Sequence, residues 1–322
     1  MTLSARLAFW LLVLVCFIWG VGFVVVDQAI NHLSTLTLNS VRFALAALCL
    51  LPLHLLLGKR EAEEPVPLMT LLLVSLGLGF LLFLGFYTQT EGMRYTTVSN
   101  AGFITGLCVP LTPVLGWLLF RSRAGWSVWV GAAASTLGLY WLTSGGELSF
   151  NRGDLWVLCC AFSFALHIVM TGHFAGRLPV IALSALQMAA VALYSAVASW
   201  WLDPPEQQLL FQFGVLLELL LSWEMLFVLV WLSLLSSAFA YWVQTSSQSV
   251  LPAPKVALIF ALEPVFAHAA AALVLDERLL WQGWLGAGLI IAGMLIAELG
   301  ESRQKPKLHP ADQMAAPQPE SD

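Results

Sequence analysis

The sequence predicts an all-α integral membrane protein with ten transmembrane helices, arranged as an inverted five-plus-five repeat. Composition supports the membrane assignment, because 59% of the 322 residues are hydrophobic and only 10% are charged, whereas soluble domains carry about 25% charged residues. The apolar residues also form a series of segments, each long enough to cross the bilayer core as a helix. These properties argue against a water-soluble enzyme.

Ten apolar segments qualify as spans, since a helix needs about 20 residues to cross a bilayer. The breaks between them carry charged or turn-forming residues. The predicted spans are residues 7–27, 35–57, 68–89, 97–120, 126–143, 153–172, 179–202, 224–248, 254–275 and 280–299. The first is predicted to be a span and not a cleaved signal peptide, because no A-x-A site follows it and nine similar segments do.

Two further segments are not predicted to span. Residues 203–222 have apolar residues at helical spacing, among them Leu209, but are too short and too polar to cross, which predicts a helix lying in the membrane interface. The tail, residues 301–322, is rich in proline and charge and is predicted to be disordered.

Positively charged residues lie mainly on one side of the predicted spans. With the N-terminus inside, ten of the 14 Lys and Arg residues flank the inner ends of the spans and three flank the outer ends. Cytoplasmic loops carry an excess of Lys and Arg. Both termini are therefore predicted to be cytoplasmic. Arg42 belongs to neither side, because it lies within the second span.

The two halves of the chain match at an offset of 155 residues, which predicts two five-helix domains, 1–148 and 149–300. Seven pairs share this offset: Gln89 and Gln244, Thr90 and Thr245, Leu107 and Leu262, Arg123 and Arg278, Trp129 and Trp284, Gly131 and Gly286, and Gly138 and Gly293. Because five is odd, the second copy must enter the membrane in the opposite sense. Inverted repeats are the architecture of alternating-access transporters, whose substrate site lies near the bilayer midplane.

Several other functions lack their sequence signatures. A net charge of −5, with no basic cluster outside the tail, argues against nucleic-acid binding. No G-x-x-x-x-G-K-[ST] motif occurs, so no nucleotide-driven motor is predicted. The five cysteines show no C-x-x-C spacing and no H-E-x-x-H motif is present, so neither a metal nor another cofactor is predicted. No catalytic constellation is evident, and the chain is not expected to be an enzyme.

Motifs in both halves resemble those of EamA-type members of the drug/metabolite transporter superfamily, over about residues 7–299. The residues that carry the likeness are Trp19-Gly20, Arg42-Phe43, Phe103-Ile104-Thr105-Gly106, Leu111-Thr112-Pro113, Leu262-Glu263-Pro264-Val265-Phe266, Asp276-Glu277-Arg278-Leu279 and Gly286–Gly293. The family's Glu-Arg pair is kept as Glu277-Arg278, but the equivalent place in the first half reads Arg121-Ser122-Arg123 and lacks the Glu. The resemblance implies a secondary exporter of amino acids, other metabolites or drugs.

Two charged residues at membrane depth are the strongest site candidates, because each costs about 2.5–3.5 kcal/mol to insert. Glu263 lies in the middle of the ninth span, and Pro264 after it removes a helical hydrogen bond to the carbonyl of Phe260, which predicts a kink. Glu263 could couple transport to protons or bind substrate, or it could be a structural acid. Arg42 lies at a depth within about 6 Å of Glu263; it could bind a substrate carboxylate or be neutralised by Glu263.

Polar and aromatic residues complete the candidate site. Gln89 and Gln244 could be gates or could hold helices together by hydrogen bonds. His167 could titrate near neutrality or be a packing histidine, and His268 is a weaker candidate. The aromatic residues could line a pocket for apolar or aromatic solutes, or face lipid and core. They are Trp19, Tyr87, Phe164, Tyr241 and Trp242.

The function expected from these observations is secondary export of a small amphipathic metabolite, such as an amino acid, across a bacterial inner membrane. The partners expected are this solute, the lipid bilayer and, as a coupling ion, protons. Three alternatives stay open: uptake by the same fold, a non-transporting sensor or partner protein, and a membrane enzyme acting on lipid.

Overall fold

The computed structural model describes residues 3–57, 66–96, 98–144, 151–208, 212–274 and 281–302. Within these ranges all regular secondary structure is helical and no strand occurs, so the predicted all-α fold class is confirmed. Four segments named in the sequence analysis lie outside the described residues: Leu209, Asp276–Leu279, residues 303–322 of the tail, and residues 145–150 at the predicted domain boundary.

Fourteen α-helices form the bundle in the part of the chain that is described. They are α1 (Ala5–Ala29), α2 (Thr35–Leu57), α3 (Leu68–Met93), α4 (Val98–Gly106), α5 (Cys108–Phe120), α6 (Trp126–Ser144), α7 (Arg152–Phe174), α8 (Val180–Leu202), α9 (Phe213–Leu220), α10 (Trp223–Leu229), α11 (Ala240–Gln248), α12 (Ala253–Phe260), α13 (Glu263–Val274) and α14 (Trp281–Ser302). A π-helical segment, Val230–Phe239, joins α10 to α11 without interruption.

Nine helical segments in the described ranges are long and apolar enough to cross a membrane. The predicted span that is not among the nine is the fifth, residues 126–143, which corresponds to α6. The 19 residues of α6 include three Trp, one Tyr and several small residues. The count of ten spans therefore stays a prediction. The second span has its predicted bounds, 35–57.

Local sequence explains where helices begin. The Ser4 side chain accepts the N–H of Leu7 at the start of α1, and Asn151 with Asp154 forms a capping box at the start of α7. Pro67, Pro179 and other prolines directly precede helices, since proline favours the first turn and cannot donate a backbone hydrogen bond.

The helices run alternately up and down the bundle, because short connections join consecutive long helices. The first turns of α1 and the last turns of α14 therefore lie at one end. Residues from both, such as Ala8 and Ala297, belong to one apolar cluster. We call this the terminal end and the other the distal end.

Two predicted spans are broken in their middle. The predicted kink at Pro264 is found as an interruption between α12 and α13 at Ala261–Leu262. Residues 97–120 were predicted to be one helix, but α4 ends at Gly106 and α5 begins at Cys108. The physical reason is Pro110, which has no N–H to donate to the carbonyl of Gly106. The two breaks include Leu107 and Leu262, which the 155-residue offset relates.

The segment predicted as one interfacial helix, residues 203–222, is not a single helix. A 3₁₀ turn covers Pro205–Gln207, and α9 begins only at Phe213. Pro204 and Pro205 explain the short first turn, because consecutive prolines cannot continue a hydrogen-bonded helix. At the other end of the chain, α14 continues to Ser302, past residue 301, where the tail was predicted to begin.

Four glycines fix the contact between α6 and α14. A Cβ on Gly131 would lie 2.6 Å from the carbonyl oxygen of Gly293, and a Cβ on Gly138 would lie 2.6 Å from that of Gly286. Sequence matching pairs Gly131 with Gly286 and Gly138 with Gly293. The contacts cross these pairs, because Gly131 meets Gly293 and Gly138 meets Gly286. Two antiparallel helices related by a local twofold axis, as in the predicted inverted repeat, would show this crossed pattern.

We expect Gly138→Ala to destabilise the protein by about 1–3 kcal/mol, because the added methyl group collides with backbone that cannot move without separating the helices. Gly288→Ala in α14 is the matched control, since a Cβ there meets open space, and it should leave stability unchanged or raised by up to about 1 kcal/mol. Thermal unfolding midpoints in detergent would measure both. Equal midpoints for the two variants would contradict the close contact.

Candidate functional site

A cavity of about 80 Å³ lies halfway along the bundle, at the breaks between α4 and α5 and between α12 and α13. Gly106 and Cys108 line it on one side, and Phe260, Glu263 and Pro264 on the other. The volume is enough for several water molecules, since a single water molecule needs a cavity of about 10–15 Å³. The interrupted helices therefore border an internal space that can hold water, as irregular backbone in a membrane requires.

Most of the predicted site residues meet at this cavity. Those that line it are Trp19, Arg42, Gln89, Phe164, His167, Tyr241, Gln244, Glu263 and Pro264. Tyr87 and Trp242 do not: the Tyr87 ring stacks on Phe83 with centroids 6.0 Å apart, and Trp242 packs against Phe239. His268 also lies outside the lining and has Nδ1 2.9 Å from the carbonyl oxygen of Pro264.

Arg42 is held by aromatic rings and a hydroxyl group. Its guanidinium lies 4.6 Å from the centroid of the Phe43 ring and 4.8 Å from that of Phe86, both within cation–π range. Its Nε donates a hydrogen bond of 3.2 Å to Ser237 Oγ. The side chain is 2% exposed, and no carboxylate of the described residues lies within 4.0 Å of it.

Glu263 is the first residue of α13 and faces the same cavity. Its side chain is half-buried and forms no hydrogen bond or ion pair with any residue that the structure describes. In this conformation the acid and the base are therefore not paired, contrary to the hypothesis that Glu263 neutralises Arg42. Removing one partner of a buried pair is costly, so two unpaired charges at one cavity require other partners.

Aromatic side chains form much of the cavity wall. The Trp19 ring contacts Tyr241 and Phe260 with centroids 5.5 and 5.0 Å apart, and Phe86 contacts Phe164 at 5.2 Å. These separations are typical of favourable aromatic pairs. The Trp19 indole N–H donates a 2.8 Å hydrogen bond to the carbonyl of Ser236 in the π-helical segment, which fixes the ring at the cavity.

The polar residues are bonded to their neighbours. Gln89 Nε2 donates to Thr105 Oγ1 at 3.1 Å and connects α3 to α4, whereas Gln244 Nε2 donates to Gln248 Oε1 at 3.3 Å within α11. His167 Nε2 lies 3.0 Å from Gln187 Oε1. Both glutamines thus form hydrogen bonds and also face the cavity, so the gate and packing roles stay open.

Sequence reasoning missed several lining residues, chiefly Phe86, Cys108 and Phe260. Helical spacing could have identified two of them, because Phe86 precedes Gln89 by three residues and Phe260 precedes Glu263 by three, which places each pair on one helix face. The repeat offset could have identified Cys108, since it is the counterpart of Glu263. Among the residues described, no three His, Cys, Asp or Glu side chains come together as metal ligands.

Apolar clusters flank the cavity on both sides, to different depths. Phe23, Met93, Ala101 and Ala267 belong to a small cluster at the distal side, which we call the distal seal. A larger cluster fills the terminal halves of α1, α5, α7, α11 and α12, and we call this part of it the terminal seal. Phe23 and Met93 also line the cavity, so the distal seal is thin.

Known proteins resemble this chain throughout. A profile of the EamA-like transporter family matches residues 6–144 and again 151–298. An uncharacterized transporter of Archaeoglobus fulgidus is 30% identical over 288 residues, 89% of this chain and 84% of that protein. The uncharacterized inner membrane transporter YedA of Escherichia coli is 27% identical over 308 residues, 93% of this chain and 92% of that one.

Two other matches are informative in different ways. An S-adenosylmethionine uptake transporter of Rickettsia prowazekii is 27% identical over 179 residues, which cover 54% of this chain and 58% of that protein. A crystal structure of another protein superposes with a TM-score of 0.72, covers 94% of this chain and 99% of that chain, and is 17% identical. At that identity the superposition shows a shared fold. The family resemblance predicted from sequence is confirmed by the profile match.

We expect Cys108 to react with N-ethylmaleimide faster than Cys16, because both are buried cysteines but only Cys108 lines the cavity. The Cys16 thiol instead lies 3.3 Å from the carbonyl oxygen of Ile259 within the apolar core. Peptide mass spectrometry of the purified protein would read each site separately. Equal rates at the two cysteines would contradict an accessible cavity at Cys108.

Proposed function

The chain belongs to the EamA-like transporter family, and we propose that it is a secondary transporter that moves a small zwitterionic metabolite through the central cavity by alternating access. One observation carries this proposal. Arg42 and Glu263 face the same cavity, and neither has a charged partner among the described residues. Each charge is therefore available to a ligand of opposite sign.

The chemistry of the cavity matches a solute that bears both charges. A carboxylate can accept hydrogen bonds from the guanidinium nitrogens of Arg42 that Ser237 does not occupy. An ammonium or another cation can bind the carboxylate of Glu263. The rings of Trp19 and Phe260 supply an apolar wall for the rest of the molecule and also attract cations. A neutral apolar solute would leave both charges without a partner of opposite sign.

The Rickettsia relatives support this cargo class. The molecule in their name, S-adenosylmethionine, carries a carboxylate, an amino group, a sulfonium cation and an aromatic base. These are the groups that an arginine, a carboxylate and aromatic rings would bind together. Amino acids carry the first two of these groups, and are the other members of the class that we propose.

We propose export as the direction, with a proton taken up by Glu263 as the coupling ion and both termini in the cytoplasm. Uptake is the second candidate, and the uptake transporters among the relatives favour it. The YedA relative supports an inner-membrane location. The chain lies in a membrane as a multi-pass protein in either case.

We expect cells that express the wild type to show one or more zwitterionic metabolites at altered levels, compared with cells that express Glu263→Gln. Mass spectrometry of the medium and of cell extracts would measure this at matched membrane levels. Enrichment outside the cells indicates export, and enrichment inside indicates uptake. Glu91→Gln is the control, since Glu91 pairs with Arg94 near the distal end of α3 and lies outside the cavity lining.

The same variant separates coupling from binding in proteoliposomes. If Glu263 takes up the coupling proton, Glu263→Gln abolishes transport driven by a pH gradient, while exchange of labelled for unlabelled solute continues. Loss of both activities in folded protein would assign Glu263 to substrate binding or architecture. Identical metabolite profiles for wild type and Glu263→Gln would contradict a role for Glu263 in transport.

We expect Arg42→Lys to raise KM for a carboxylated cargo roughly tenfold, which corresponds to about 1.4 kcal/mol. Lysine keeps the charge but not the planar fork that binds a carboxylate with two hydrogen bonds. The amide of the same cargo should bind wild type and variant about equally poorly. Competition uptake assays would measure both, and equal transport of acid and amide by the wild type would exclude a carboxylate clamp.

A further inference from the structure

Six buried polar side chains lie together beside the terminal seal, where α7, α8 and α11 meet. We call them the terminal polar cluster, and they are His167, Thr171, Gln187, Gln244, Thr245 and Gln248. They come from three helices, α7, α8 and α11, and none is more than 4% exposed. The surrounding side chains, such as Ile168, Val243 and Leu251, are apolar.

The cluster consists of two hydrogen-bonded chains that lie side by side. In the first, Thr171 Oγ1 lies 3.3 Å from His167 Nε2, His167 lies 3.0 Å from Gln187 Oε1, and Gln187 Nε2 donates to Thr245 Oγ1 at 3.4 Å. In the second, Gln244 donates to Gln248, whose Nε2 donates to the carbonyl of Ile168 at 2.6 Å.

These chains extend from the cavity toward the terminal end. His167 and Gln244 line the cavity. Gln248 is the last residue of α11, about 6 Å further along the axis than Gln244. Thr171 is three residues from the end of α7. A polar column therefore crosses most of the seal on this side.

A seal that stayed closed would gain nothing from this polarity. Opening an apolar seal exposes surface at about 25 cal/mol per Å², whereas a satisfied polar group exchanges its protein partner for water at little net cost. The polar column therefore lowers the free energy of the open form relative to the closed form. By contrast, the contact between α6 and α14 is built on glycine backbone.

The repeat relation gives a further reason to expect water at the cluster. The repeat counterpart of Gln244 is Gln89, at the offset of 155 residues, and that of Gln187 is Arg42, at the offset of 145 residues that relates the second span to its counterpart. Both Gln89 and Arg42 line the cavity on its distal side. The positions equivalent to Gln244 and Gln187 thus already face the cavity in the other half.

We propose that the terminal polar cluster is the second half of the transport pathway, which fills with water when the cavity opens toward the terminal end between α7, α8 and α11. The proposal rests on the transporter function proposed above and adds the route by which cargo and water cross the terminal seal. Gln187, Thr245 and Gln248 then line the pathway, and His167 connects it to the central cavity.

The test is labelling of Thr171→Cys and Thr245→Cys in sealed membrane vesicles with a membrane-impermeant maleimide, added from one side at a time. A tag at the C-terminus reports which side carries the termini, and peptide mass spectrometry reads each site. The matched control is Ser135→Cys, a fully buried serine of α6 at the contact with α14. We expect both cluster cysteines to react from the terminal side at least tenfold faster than the control.

Other results would overturn the proposal. Cluster cysteines that react no faster than Ser135→Cys would identify the cluster as permanent packing, and reaction only from the distal side would place the pathway elsewhere. A second pair of variants tests the proposal without cysteine labelling. Thr245→Val should slow transport severalfold. Thr112→Val should not, because Thr112 is equally buried but forms its hydrogen bond within its own helix. Equal rates for these two would also contradict it.

Labelling needs no known cargo, so the two proposals fail separately. Labelled cluster cysteines without any transported solute would overturn the proposed function and support the opening. Measured transport with an unreactive cluster would overturn the pathway and leave the function intact.

Discussion

The constraint on which this structure depends is that every backbone polar group in the bilayer must find a partner away from lipid. Two interruptions break this pattern, at Leu107 and at Ala261–Leu262, and each follows from a proline that cannot donate to a carbonyl four residues earlier. The residues on either side of each break, Gly106 and Cys108 in one case and Phe260 and Glu263 in the other, line the central cavity. The position of the site is thereby set by backbone chemistry, and Glu263 is placed there as the first residue after a break.

The charges are distributed unequally over a scaffold whose halves match. Arg42 has Gln187 as its counterpart, and Glu263 has Cys108, so that each charge occurs in one half only. If architecture alone required these residues, both halves would carry them. A polar ligand has two different ends, and a cavity that distinguishes those ends needs an arginine and a carboxylate in different halves. The asymmetry therefore argues for a role in binding or coupling.

Sequence alone predicted the fold class, and most of the site residues that it named line the cavity, because charged and amide side chains in apolar helices have few places to lie other than a shared space. It did not predict the break at Leu107, since Pro110 lies among several prolines that helices tolerate. It also missed Phe86 and Phe260, whose residue type is equally common on lipid-facing surfaces, and could not establish that Arg42 and Glu263 are unpaired. Such contacts depend on helix rotation, which periodicity does not fix.

The two seals differ in kind, and this difference bears on how the molecule could alternate. The distal seal is thin and apolar, whereas the terminal seal is thick and contains a polar column. A ligand shifts an equilibrium between two conformations only by its differential affinity for them. A thick apolar seal would demand more of that differential affinity than a small solute supplies, because moving a population from 1:99 to 99:1 takes about 5.5 kcal/mol. Polar groups in the seal reduce the free-energy difference between its closed and open forms. The binding of a zwitterion to Arg42 and Glu263 together can then supply that smaller difference.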